Sequence, residues 1–351
     1  MPRRVTLPRL ACTGLALVLG FATGCQSTDI APLTTAGTAL EQDEQRLWLR
    51  ADEEQAAIER SGLRVHDPQL DAYLDAILDR LHPDPLPDGH RFHARVLLDP
   101  TLNAFALPTG VIYIHSGLLA HMENEAQLAT VLGHELTHTT HRHAVKSFRS
   151  VKNKTAFLAT FVVGTSGLGS LIGAVGTLAA VSGYSQDLER EADRVGFDRL
   201  VAAGYDPRES PKVFRELQTE ARRTKLKEPF FFGSHPRLQE RIDNFTAFLA
   251  TLPPEKRAGR LETEAFAAAT HDVLGRNVEA SLLAGDCDAA RDEALRYLAR
   301  TADAPEIEFL LAESYRKRNE PAANQTARDR YRQLLARHPD FAPRTAASGW
   351  S

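Results

Sequence analysis

Glu125-Ala126-Gln127-Leu128-Ala129-Thr130-Val131-Leu132-Gly133-His134-Glu135-Leu136-Thr137-His138 carries the reading of this chain. From Glu123 to about His143 the only helix-weakening residue is Gly133, so one continuous helix is expected there. Histidines at i and i+4 stand roughly 40° apart on one helical face, and their imidazoles can converge on a single cation. Glu135 projects beside them, where a carboxylate can take a proton from water activated by zinc. The apolar flank Ala129 to Leu132 suits a buried setting. His115, His121, His141 and His143 are expected to be surface or supporting groups rather than ligands.

A catalytic zinc takes three protein ligands and keeps one open position. No third histidine follows closely, since that place falls in Ala144 to Ser147. The next long helix offers Asp187-Leu188-Glu189-Arg190-Glu191-Ala192-Asp193. Glu189 and Asp193 share a face, whereas Glu191 points about 200° away from Glu189. One carboxylate can bind the metal while another orients a ligating imidazole.

Outward from this pair of helices the elements are short. Glu41 to Ser61 reads as a charged helix. Asp67-Pro68 opens a second helix with Leu70, Tyr73, Leu74, Ile77 and Leu78 on one face. Phe92 to Leu98 suits a strand, and Asn103 to Leu107 with Val111 to His115 reads as two strands around Pro108-Thr109-Gly110. Helices are expected over Gln186–Ala203, Pro211–Lys225 and Pro236–Leu252. Residues 155–181 are uncharged and glycine-rich, and a buried or membrane-touching hairpin over the active site fits them better than a span. After Pro253-Pro254 the composition turns to Ala, Glu and Arg in helical units resembling one or two degenerate tetratricopeptide pairs.

Met1 to Arg9 holds three arginines and no acid, and Leu10 to Phe21 is apolar at the length of a signal segment. Ala22-Thr23-Gly24-Cys25 resembles a bacterial lipobox, which makes Cys25 the lipidation site, and Gln26 behind it fits sorting to the outer membrane. Losing residues 1–24 moves the formal charge from −4 to −7. With Lys plus Arg at 42 against 46 acids, no basic excess exists for general nucleic-acid binding. Three cysteines, of which only Cys287 would remain free, exclude a disulfide framework.

Several blocks occur in a familiar order: Asn103 to Pro108, the HExxH helix, Glu189-x-x-x-Asp193 and Ser234-His235-Pro236. Together they resemble the membrane-associated zinc metallopeptidases that include the CAAX prenyl protease, the heat-shock protease HtpX and the Oma-type proteases. An exported form with a helical tail is most similar to the periplasmic beta-barrel assembly-enhancing branch. The resemblance covers residues 65 to 250. It implies one zinc per chain held by His134, His138 and Glu189, with Glu135 as general base. It also implies supporting or regulatory roles for Asp193, His235 and Arg241, His235 being able to close the open zinc position. Val111, Ile112, Tyr113 and Ile114 resemble the edge strand that receives an extended substrate. Thr109 stands where this family commonly has glycine.

The expected architecture is α+β, mainly helical with a small sheet. Residues 1–24 form a leader, 25–64 a tether and first helix, 65–252 the peptidase domain, and 253–351 a tetratricopeptide-like region. The expected activity is endopeptidase cleavage of unfolded or misassembled envelope proteins, in the periplasm, with the tail able to contact assembly machinery. A non-proteolytic assembly factor is the rival, and an intact Glu135 speaks against it because a structural zinc needs no general base.

Overall fold

The computed structural model describes residues 30–33, 40–82, 91–150, 184–223 and 238–343. Cys25 and the leader, the stretch 155–181 and the Ser234-His235-Pro236 block lie outside them. Helix α1 (Gln42–Arg60) is followed by α2 (Pro68–Leu81), whose start is set by Asp67 accepting from the Gln69 and Leu70 amides, with Pro68 in the first turn. Strands β1 (His93–Leu97), β2 (Ala104–Ala106) and β3 (Val111–His115) lead into α3 (Ser116–Ala120) and α4 (Glu125–Thr140). Next come α5 (His143–Ser150), α6 (Gln186–Ala202), α7 (Ser210–Arg223) and α8 (Leu238–Thr251). Helices α9 (Thr263–Leu283), α10 (Cys287–Leu298), α11 (Pro305–Lys317) and α12 (Pro321–Arg337) close the described chain.

The sheet order is β1-β3-β2, with β3 parallel to β1 and antiparallel to β2. This corrects the edge-strand expectation for Val111, Ile112, Tyr113 and Ile114, because β3 has a neighbour on both sides. The physical reason is visible in the residues: a run without polar alternation marks a strand covered on both faces. Ile112 and Ile114 enter the main core with α2 and α4, while Val111 and Tyr113 pack with Ala51 and Ile58 of α1. Gly110, at φ +97°, supplies the left-handed turn residue between β2 and β3, so Thr109 is not asked to adopt it.

Every residue of α4 is buried. Asn124 caps its start by accepting from the Gln127 amide at 3.0 Å, and Glu125 accepts from the Tyr73 and Tyr205 hydroxyls at 2.6 and 2.5 Å and from Arg80. The threonines Thr130, Thr137 and Thr140 turn their hydroxyls back to carbonyls one turn earlier, which lets polar residues sit in the core. The helix ends sooner than the spacing suggests. Arg142 stands at φ +57°, so α4 and α5 are separate helices.

Helices α9 to α12 pack each on the next. The first of them also belongs to the body: Phe266 and Val273 share the main apolar cluster, and buried Ser116 donates to Asn277 Oδ1 at 2.6 Å. Packing therefore crosses the expected division at residues 252/253. Among the described residues no helix is long and apolar enough to cross a membrane.

Candidate metal centre

Helices α4 and α6 cross at their glycines, and this crossing sets the site. A Cβ on Gly196 would lie 2.8 Å from the Gly133 carbonyl carbon and 2.9 Å from the His134 nitrogen. Only hydrogen at that position allows the two backbones this approach. His134 and His138 follow Gly133 on α4, Glu189 and Asp193 precede Gly196 on α6, and the facing side chains meet there. His134 Nε2 and His138 Nε2 are 3.0 Å apart. Glu189 reaches them with Oε2 at 3.5 Å and Oε1 at 3.6 Å, respectively. One ligand atom from each of the three residues lies within 4.8 Å of the other two, and all three residues are buried.

The donor set suits zinc: two imidazole nitrogens and one carboxylate form a His₂Glu catalytic site. Three buried polar groups turned toward one point would also be unfavourable without a cation between them. Glu135, 1% exposed, follows His134 on the same helix. Tyr184 stacks on the His138 ring with centroids 4.0 Å apart. Burial, followed by the Glu135 and Glu189 carboxylates, raises the Tyr184 phenol well above its ordinary value, so it stays protonated.

Asp193 lies behind His134, its Oδ1 2.9 Å from Nδ1. Arg241, from α8, donates through Nη2 to the same carboxylate at 2.6 Å and through Nε at 3.1 Å. Its Nη2 is also 2.9 Å from His134 Nδ1, and its guanidinium covers the Phe214 ring at 4.2 Å. Behind His138 stands His143, with the two Nδ1 atoms 2.8 Å apart, and His143 Nε2 is 3.2 Å from Glu191 Oε2. Burial pushes the His143 pKa down to about 4. His115 instead contacts Thr101 and Asp99, His121 contacts the Gly117 carbonyl and Glu220, and His141 points toward Glu191.

The structure thus gathers His134, His138, Glu189, Asp193 and Arg241 with Glu135 alongside, while Val111 to Ile114 lie in the sheet interior. His235 falls outside the described residues. Sequence reasoning gave no role to Tyr184 or Glu191. Neither had a local signal: Tyr184 precedes its helix, and Glu191 faces away from Glu189.

The family model for peptidase family M48 matches residues 68–248, just over half of the chain. The chain belongs to peptidase family M48. Its HExxH-plus-glutamate cluster is the metallopeptidase site of that family. A Vibrio cholerae relative is 28% identical over 239 residues, 65% of this chain and 49% of its own. A Yersinia pestis beta-barrel assembly-enhancing protease is 28% identical over 221 residues, 60% of this chain and 45% of its own. The mitochondrial metalloendopeptidase OMA1 of Arabidopsis thaliana is 35% identical over 130 residues, 37% of this chain and 26% of its own. The chain spans about half or less of the length of each of these three relatives.

Proposed function

We propose that this M48 protein is a zinc-dependent endopeptidase of the bacterial cell envelope that cleaves unfolded or misassembled envelope proteins. The observation that carries the reading is the convergence of His134, His138 and Glu189 beside the buried Glu135. His134, His138 and Glu189 would hold the zinc, which would supply a Lewis acid and lower the pKa of water from about 15.7 toward 7.

Glu135 takes the proton of the attacking water and returns it to the leaving amine, as a general base and then a general acid. Asp193 Oδ1, 2.9 Å from Nδ1, is the carboxylate that would take the His134 Nδ1 hydrogen and leave Nε2 facing the metal, while Arg241 Nη2, a donor only, serves the Asp193 carboxylate at 2.6 Å. Arg241 balances the Asp193 charge in the buried site. An extended substrate would add to β2 rather than β3. Within the β2–β3 ladder, Leu107 donates to Val111 and His115 donates to Asn103. By alternation the main-chain groups of Ala104 and Ala106 turn away from β3, and of the two Ala104 is buried while Ala106 is half-buried, so Ala106 marks the accessible part of this edge. Thr139 of α4 donates to the Leu107 carbonyl at 3.4 Å, which sets this edge beside the catalytic helix. Recognition through main chain favours unfolded substrates over one sequence.

The lipobox-like Cys25 supports a lipid anchor, with the outer membrane as its destination and the periplasm as the working compartment. The tetratricopeptide-like tail would contact assembly machinery. His235 precedes α8, whose Arg241 touches His134, and this supports a resting state in which His235 fills the fourth zinc position.

The test pairs metal content with casein cleavage by the full chain, Glu135→Gln and His235→Ala. One zinc per chain and no cleavage by Glu135→Gln are expected, with faster cleavage by His235→Ala. Zinc without cleavage by any form would favour the assembly-factor role, and absence of zinc would refute the proposal.

A further inference from the structure

A histidine that presents Nε2 to a cation carries its hydrogen on Nδ1, and the acceptor of that hydrogen sets both tautomer and ring rotation. For His134 the acceptor is a carboxylate. For His138 it is a second imidazole, His143, 2.8 Å away through Nδ1. If His138 donates there, His143 Nδ1 holds a lone pair and its own hydrogen sits on Nε2. That nitrogen faces Glu191 Oε2 at 3.2 Å, and a carboxylate only accepts. The opposite arrangement would aim a lone pair of His143 at Glu191 and place the His138 hydrogen on Nε2, where it blocks metal ligation. The Glu191 charge therefore selects the tautomer of His138 through His143.

Resting on the metal site proposed above, we infer that His143 and Glu191 are positioning residues for His138, and that Arg142 and Glu44 hold this relay in place. His143 follows His138 by five residues, which in a continuous helix is about 140° around the axis and out of reach. The left-handed Arg142 folds the chain back so that His143 returns under His138. A non-glycine residue at φ +57° is strained and persists only where surroundings impose it. Here they do. Arg142 donates through Nε to Glu44 Oε1 at 2.9 Å and through Nη2 to Oε2, with both side chains buried. The Leu33 amide also donates to the Thr140 carbonyl at 2.7 Å. Glu44 belongs to α1, outside residues 68–248 of the family match. A helix ahead of the peptidase domain thus secures one of its metal ligands.

The relay is tested by zinc affinity, measured by chelator competition, and by the ¹⁵N tautomer signature of His138 in the metal-free full chain. His143→Ala is expected to weaken zinc binding about 10–100-fold. His143→Asn, whose Oδ1 stands near the place of the lost Nδ1, is expected to bind within a few-fold of the natural protein. Glu191→Lys presents a donor to His143 Nε2, reverses the relay, and is expected to move the His138 hydrogen from Nδ1 to Nε2. Its side chain is 35% exposed, so this variant decides the matter even if His143→Ala fails to fold. Unchanged zinc affinity in His143→Ala, or a His138 hydrogen that stays put in Glu191→Lys, would overturn the relay. Failure of the natural protein to bind zinc would refute the metal site instead, and the His138 tautomer would still decide the relay.

Discussion

The two metal-facing imidazoles are backed by opposite chemistry. Behind His134 lies a closed ion pair, with Asp193 and Arg241 only 2% and 3% exposed at their side chains. Behind His138 lies a neutral ring that ends on a carboxylate at the surface. The first arrangement holds charge in a place water cannot reach, so each partner depends on the other. The second keeps its charge in solvent and sends only a hydrogen bond inward. They differ in what breaks them, and that difference can be measured.

The largest effect is expected at Arg241. Arg241→Ala would leave the Asp193 carboxylate buried without its guanidinium, at a cost of about 3–5 kcal/mol in urea unfolding of the metal-free chain. A loss below about 1 kcal/mol would remove the contrast between the two sides.

Glu293 sharpens it, as a buried carboxylate held by neutral donors. Ser281 and Asn277 donate to it at 3.0 and 2.9 Å, and burial pushes its pKa up from 4.5 to about 7. His121 and Arg296 act against the shift without cancelling it. The folded protein holds this proton more tightly than the unfolded chain. Its stabilising contribution is therefore full below about pH 4.5 and fades as the pH rises through about 7. About 3 kcal/mol of stability is expected to be lost across that window, and Glu293→Gln should flatten this part of the Tm-against-pH curve.

Gly196 tests the frame common to both sides. In an exposed helix Gly→Ala gains about 1 kcal/mol. Here the added methyl would meet the α4 backbone at 2.8 Å, so Gly196→Ala is expected to cost about 1–3 kcal/mol and to weaken zinc binding. A stabilised variant would show that the crossing can relax. The smallest effect is expected at Glu191→Gln, whose stability should change by less than about 0.5 kcal/mol because the group is partly solvated. A loss as large as that of Arg241→Ala would make the two supports equivalent.

Much of this was legible in the residues because it is local. The starts of α2 and α4 follow from Asp67-Pro68 and Asn124, and the HExxH spacing places two imidazoles on one face whatever surrounds the helix. The edge-strand expectation for Val111 to Ile114 rests on the family pattern alone, whereas their unbroken apolar run marks an interior strand. The expected helix from Glu123 to His143 overlooked the break at Arg142, which has no glycine or proline to announce it. That break exists because Glu44, 98 residues earlier in the chain, holds the arginine there.

The division follows the range of the forces. Spacing along one helix settled that His134, Glu135 and His138 work together, and residue type settled what chemistry they can do. Which carboxylate of α6 faces them, which strand lies at the edge and what stands behind each imidazole depended on contacts between distant segments. Those contacts arise where two glycines allow α4 and α6 to touch, and where an arginine is held left-handed by a helix from outside the domain. Such pairings are set by packing in three dimensions, and no periodicity in the chain encodes them.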